Sequence, residues 1–145
     1  LIVIKRCQMD DCHILAKLAK QLWNEHHLDE LEKEFEDLMS KNTAFFVDYE
    51  DNKPVAFAQV SLRHDYVEGT NTSPIAYLEG IFVERGYRNR GIAKKLLEKC
   101  ELWAKENFCT QLASDCELEN NGSYKFHLNC GFEEVNKIIC FVKKL

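Results

Sequence analysis

An apolar run, Ile81-Phe82-Val83, is followed by Arg88-Asn89-Arg90-Gly91-Ile92-Ala93-Lys94 and then by a helical pattern. A strand, a basic Gly-containing loop and a helix start are the parts of an anion site. The first backbone N–H groups of a helix have no intrahelical partners and sit at the positive end of its dipole. Gly91 lets the chain approach an anion without a Cβ in the way. Arg88 and Arg90 add charge-assisted contacts. A solvated basic turn with a helix cap accounts for the same residues, and spacing alone does not choose. The GxxxxGK(S/T) spacing of a P-loop is missing.

The strand before that loop carries Glu79. Leu78, Gly80 and Phe82 alternate with Tyr77, Glu79, Ile81 and Val83, which places Glu79 on a face with apolar residues. A carboxylate there is costly unless it is paired or used. It is either the partner of a core Lys or Arg, or a base or anchor for a cationic substrate. Asp115 ends the next core strand, ahead of Glu117 and Glu119. It is a turn or helix cap, or a second carboxylate facing the same substrate. Two carboxylates suit a polyamine: one binds ammonium and the other helps remove a proton. Trp23, at the end of a helical pattern, is core or an apolar wall with a polar tip. His26 beside His27 reads as exposed polar surface.

These residues need a scaffold. The pattern predicts a strand over 1–6 and a helix capped by Asp10-Asp11, with Leu15, Leu18, Ala19 and Leu22 on one face. Leu28, Leu31, Phe35, Leu38 and Met39 mark a second helix. A hairpin turn at 50–53 joins strands 43–49 and 55–62. A polar stretch, 63–73, precedes strand 75–83. Ala93, Leu96, Leu97, Cys100 and Ala104 form one face of the helix after the basic loop. A short strand over 111–115 follows, then a helix from Asn120/Asn121 to a C-terminal cap at Gly131, and a hairpin or bent strand pair over 132–142. The elements add up to a mixed, mostly antiparallel α/β sheet.

The whole chain, 145 residues, is expected to form one domain, 1–145. Nineteen basic against 24 acidic residues give a net charge of −5, which argues against a nucleic-acid footprint. The longest apolar run, Ile138–Val142, is far short of the ~20 residues of a membrane span, and no signal segment is expected. The seven cysteines show no CxxC pairing, so reduced thiols in a cytoplasmic protein are expected, with no metal.

Arg88-x-x-Gly91-x-Ala93 after an apolar strand resembles the acetyl-CoA pyrophosphate loop of the GNAT superfamily of N-acetyltransferases. Asn120, then His127, then Gly131-Phe132 resemble that superfamily's Asn…Tyr…Gly-Phe block, with His127 in the Tyr position. Ser61-Leu-Arg-His-Asp-Tyr-Val67, Ser73-Pro74, Leu78-Glu-Gly-Ile-Phe-Val83 and Ala113-Ser-Asp115 look like aminoglycoside 6′-N-acetyltransferases. That likeness is strongest over 55–145; the N-terminal third joins it through Gln21-Leu22-Trp23 and His26.

The resemblance implies a GNAT fold, with the central sheet flanked by helices. It implies acetyl transfer from acetyl-CoA to the 6′-amine of an aminoglycoside, a cationic small molecule, by direct attack in a ternary complex. The acetyl-CoA side is then Ile81, Phe82, Val83 and the stretch Arg88, Asn89, Arg90, Gly91, Ile92, Ala93 and Lys94. The Val83 N–H would polarise the thioester carbonyl, and Asn120 would touch the pantetheine arm. Glu79 and Asp115 would line the acceptor site with Trp23, His26 and Tyr66. His127 stands where a Tyr could protonate the leaving thiolate; it could do the same or be a structural residue of the pocket. Asn136 replaces an acidic residue of some similar enzymes, which softens or removes one substrate contact. A homodimer is also implied, with Ile138–Val142 supplying an edge. Transfer to another polyamine or a peptide amine, or acyl-CoA binding without chemistry, are the rival readings. The Glu79/Asp115 pair favours catalysis on a cation.

Overall fold

The computed structural model describes residues 2–145. Strand β1 is Val3–Arg6, followed by helices α1, Cys12–Leu22, and α2, Leu28–Met39. Then come β2, Thr43–Glu50, β3, Lys53–Arg63, and β4, Ile75–Val83. Helix α3, Ile92–Glu106, β5, Leu112–Ala113, and α4, Asn121–Asn129, complete the series. The sheet has five strands in the order β1-β2-β3-β4-β5. All pairs are antiparallel except β4–β5, whose connection through α3 is the long crossover that a parallel pair requires.

The β2–β3 hairpin turns where the sequence places it. Asp51 and Asn52 both take left-handed conformations, φ 50° and 64°, as a tight primed turn demands and as these short polar side chains tolerate. Both faces of the central strands are covered. Leu15, Ala16, Leu18 and Ala19 of α1 meet Leu31 and Phe35 of α2 and Phe45, Val47 and Phe57 of the sheet. On the other face Ile92, Leu96, Leu97, Cys100 and Trp103 of α3 pack on Ala44, Phe46, Ala58, Val60, Ala76 and Leu78. Each fully buried Leu, Ile or Phe side chain contributes about 1.5–3 kcal/mol. This sandwich packs both faces of β4. Among the described residues no helix is long and apolar enough to cross a membrane.

Three expectations are corrected. Residues 132–142 form no hairpin: nothing beyond α4 is in a strand, and Ile138, Ile139, Phe141 and Val142 are exposed. A strand needs an edge to pair with, and β5 offers a two-residue ladder. The short strand itself is Leu112–Ala113 rather than 111–115. At the first helix, the Asp11 carboxylate accepts from the Gln8 N–H at 2.7 Å. It closes the short 3₁₀ turn Met9–Asp11 ahead of α1 and makes no side-chain cap on α1 itself.

Candidate functional site

The basic loop opens directly onto the start of α3. Gly91 is its N-cap residue, with φ +80°, and no side chain caps the helix; its first turn holds no acidic residue. The first intrahelical bond runs from the Lys95 N–H to the Gly91 carbonyl at 3.1 Å. The N–H groups of Ile92, Ala93 and Lys94 therefore have no helical acceptor. A Cβ on Gly91 would meet nothing within 4 Å. What Gly91 supplies to the fold is thus its positive φ, which an L side chain rarely adopts. Asn89 is also left-handed, φ 63°. The arginines fold back on the loop. Arg88 Nε donates to the Val83 carbonyl at 2.7 Å, and Arg90 Nη2 to the Gly86 carbonyl at 3.2 Å. The residues present fit a diphosphate: open N–H groups, two guanidinium groups and no carboxylate in the first turn of α3.

β4 supplies the neighbouring edge. Its ladder with β5 covers Ala76 and Tyr77, and the Ser114 hydroxyl reaches the Leu78 carbonyl at 3.3 Å. Beyond that point the β5 side of β4 is unpaired. The Glu84 N–H bonds back to the Val55 carbonyl at 2.8 Å. By the alternation of an antiparallel ladder, the Val83 N–H points the other way, toward the unpaired edge.

Glu79 does not sit in simple alternation. Gln59 pairs with Gly80, and the next residue of β3, Val60, pairs with Leu78, so Glu79 is the extra residue of a bulge. A bulge re-aims a side chain and locally breaks the period of two. Ile81 and Val83 consequently join the α3 side of the core along with Ala76 and Leu78. Tyr77 packs elsewhere, with Val67 and Ile75. The shared apolar face expected for Tyr77, Glu79, Ile81 and Val83 is not formed.

The freed carboxylate is paired. Arg63, the last residue of β3, donates Nη2 to Glu79 Oε1 at 2.7 Å and Nε to Oε2 at 3.1 Å. The Ser61 hydroxyl also donates to Oε2. The Arg63 guanidinium lies 3.5 Å from the Tyr77 ring centroid, and the Tyr77 hydroxyl donates to Asp115. Glu79 and Asp115 therefore belong to one network, linked by Arg63 and Tyr77. Burial first, and then the Asp115 carboxylate, push the Tyr77 phenol well above its ordinary value, so it stays a donor. The Glu79 hydrogen bond holds the Arg63 guanidinium protonated. Two carboxylates against one guanidinium leave the network in net negative charge.

The sequence reading did not single out Arg63, Tyr77, Ser61 or Ser114 as site residues. The signal was the β3–β4 register, in which Ser61 faces Tyr77. The polar segment 63–73 hides that register, because its length does not say where pairing resumes.

Trp23 packs against Phe35 and Phe57, with ring centroids 6.5 and 5.8 Å apart. A Cβ on Gly80 would lie 2.7 Å from its ring, so Trp23 lies over β4 beside Glu79. Its packing is that of a core residue. His26 and Tyr66 are exposed; no side-chain hydrogen bond ties either to Glu79 or Asp115 among the described residues. The Tyr66 segment lies between Arg63 and the start of β4. Asn120 Oδ1 accepts the Ser123 N–H at 3.1 Å, capping α4. His127, on α4, meets the Ser123 carbonyl through Nδ1 at 2.7 Å and the Ser114 hydroxyl through Nε2 at 2.8 Å. The Phe132 ring stands 4.9 Å from its ring. The Asn136 amide donates to Glu68 at 3.0 Å, which fixes the tail beside the 63–73 loop. No cluster of three or more metal-ligating side chains occurs among the described residues.

One edge of one strand thus carries an open anion cradle at its end and a net-negative network in its middle. The family model of the acetyltransferase (GNAT) family matches residues 11–132. The aminoglycoside N(6′)-acetyltransferase type 1 of Salmonella typhimurium is 41% identical over 143 residues, covering 94% of this chain and 97% of that protein. The Acinetobacter haemolyticus protein of the same name is 36% identical over 129 residues, 89% of each chain. The structure of AAC(6′)-Iy in complex with the bisubstrate analogue CoA-S-monomethyl-acetylneamine superposes with a TM-score of 0.95 at 35% identity. It covers 100% of this chain and 99% of that one. Motif, sheet topology and all three comparisons agree: the chain belongs to the GNAT family of acetyltransferases.

Proposed function

We propose that the protein, acting as a single cytoplasmic domain, transfers an acetyl group from acetyl-CoA to the 6′-amine of aminoglycosides and so confers resistance to them. The observation that carries this reading is the placement along β4 of an uncapped, acid-free helix start and a net-negative network. One suits a diphosphate and the other a polycation. A relative of the same fold holds CoA and an aminoglycoside fragment joined in one molecule, which supports a single shared groove.

Acetyl-CoA supplies the activated acyl group. Arg88, Asn89, Arg90 and Gly91, with the N–H groups of Ile92, Ala93 and Lys94, hold the diphosphate. Ile81, Phe82 and Val83 line the arm's path, and the Asn120 amide meets it. The Val83 N–H faces the acyl oxygen, where charge grows as the amine attacks. Glu79 and Asp115 hold the acceptor's ammonium groups, with Trp23, His26 and Tyr66 as walls. One of the two carboxylates, directly or through water, takes the proton that the attacking amine must lose. His127 returns a proton to the thiolate by way of the Ser114 hydroxyl that its Nε2 faces. Much of the rate comes from orienting two substrates in one groove. The exposed apolar tail, Ile138–Val142, supports a homodimer in which a second copy covers it.

The test is the product. Kanamycin and acetyl-CoA are incubated with the protein, and mass spectrometry and NMR locate the new acetyl group. Acetylation at the 6′-amine is expected. Acetylation at a 3-amine refutes the assigned regiochemistry and leaves the family unaffected.

A further inference from the structure

The cation subsite of the acceptor network already holds a cation. A carboxylate beside an aromatic face is a general way to bind an ammonium group, and Glu79 with Tyr77 is such a pair. The Arg63 guanidinium fills it, forked onto Glu79 at 2.7 and 3.1 Å and stacked at 3.5 Å on Tyr77. We propose that Arg63 is a resident competitor in the acceptor site, displaced from Glu79 and Tyr77 by an ammonium group of the incoming polyamine. This rests on the acceptor class proposed above.

The placement suits a side chain that leaves. Arg63 ends β3 and is followed by the loop 64–73, and its side chain is 43% exposed against 23% for Glu79. Its hydrogen bonds among the described residues all go to Glu79, so one event frees it. Ser61 still holds Glu79 Oε2 from the other side, which keeps the carboxylate aimed when Arg63 has gone. Asp115 is tied to Tyr77 instead and stays free of the exchange. The consequence is selectivity for several charges. An acceptor must bring one ammonium to replace Arg63 and others to meet the rest of the network, so a monoamine competes poorly. Removing the competitor is worth about two- to fivefold in acceptor affinity, the range of a half-exposed ion pair at about 1.4 kcal/mol per tenfold.

The experiment uses Arg63→Met, which keeps the stem and removes the charge, and Arg63→Lys, which keeps the charge and loses the fork. Steady-state KM is measured separately for kanamycin and for acetyl-CoA. Arg63→Met is expected to lower the kanamycin KM about two- to fivefold with the acetyl-CoA KM unmoved, and Arg63→Lys to fall between it and the wild type. In the wild type, the ¹⁵N-detected Arg63 Nε–H signal is expected to shift and exchange faster with solvent at saturating kanamycin. An unchanged or raised kanamycin KM in Arg63→Met overturns the proposal, as does an Arg63 signal that kanamycin leaves in place. A wild type that binds acetyl-CoA but neither binds nor acetylates kanamycin removes the acceptor class and this inference together. An active wild type with an undisturbed Arg63 removes the inference alone.

Discussion

Glu79 is ion-paired and Asp115 is held by a phenol, so under the proposed function the two carboxylates would meet an acceptor on different terms. Each lost charge-assisted hydrogen bond costs about 1.5–3 kcal/mol, or roughly 10- to 150-fold in kcat/KM at ~1.4 kcal/mol per tenfold. Glu79→Gln and Asp115→Asn are expected to keep acetyl-CoA affinity and to lose aminoglycoside turnover by factors in that range. Loss of an anchor chiefly raises KM, and loss of the base lowers kcat. Steady-state kinetics on both folded variants separate the roles; wild-type kcat/KM in both would move the acceptor pocket elsewhere. Glu79 was legible because a carboxylate in a core strand demands an explanation, and Asp115 because the apolar pattern ends at it, although β5 itself stops at Ala113. Their partners were not. Arg63 lies 16 residues from Glu79, and the bulge that turns Glu79 toward it leaves no mark in the alternation of apolar residues.

At the scale of elements, the loop into α3 was the most legible part of the site, because its signal is local: a strand end, a positive-φ glycine and an uncapped helix start. Gly91→Val is expected to weaken acetyl-CoA binding by tenfold or more, since a β-branched residue strains at φ +80° and crowds the approach of the diphosphate. Calorimetric titration with acetyl-CoA checks this; wild-type affinity in the folded variant contradicts the assignment. The contact of α1 with β4 was less legible. Gly80 looked like one more residue in an apolar run, yet its missing Cβ is what admits the Trp23 ring. Phe35 and Phe57 back that ring, so it cannot easily give way. Gly80→Ala is expected to destabilise the fold by about 1–3 kcal/mol. The melting temperature should fall by about 2–4 °C per kcal/mol for a chain of this size, and a thermal melt unchanged from wild type would contradict the packing described.

At the scale of the molecule, the layers were legible from apolar spacing, but the tail and one buried charge were not. The tail's apolar residues read as a strand pair because spacing reports apolarity and not the presence of an edge to join. Asp48 follows the apolar run Ala44–Val47 in β2 and is fully buried. Its Oδ1 accepts the Val3 N–H at 2.9 Å, whereas its Oδ2 and Glu50 Oε2 have no partner among the described residues. Burial first, and then Glu50, raise its pKa above the ordinary 3.8, against the opposing N–H groups of Val3 and Tyr49. A carboxyl whose folded value is raised binds its proton more tightly in the native state. Its ionisation therefore costs stability as pH climbs through the folded value, and the cost vanishes below the ordinary range. Asp48→Asn keeps the Oδ1 acceptor and offers an N–H to Glu50. It is expected to be more stable than wild type at pH 7 by about 1–3 kcal/mol, with the gap closing on acidification. Thermal melts across the acidic-to-neutral range check the sign; a variant less stable than wild type at neutral pH contradicts it.

The central claim is that one strand edge brings acetyl-CoA to a 6′-amine, and release of free thiol from acetyl-CoA tests it most directly. The assay compares an aminoglycoside bearing a 6′-amine with an analogue bearing a 6′-hydroxyl at the same position. Rapid thiol release with the amine and none above background with the hydroxyl is the predicted result. Equal release with both, or none with either while acetyl-CoA binds normally, would contradict the account.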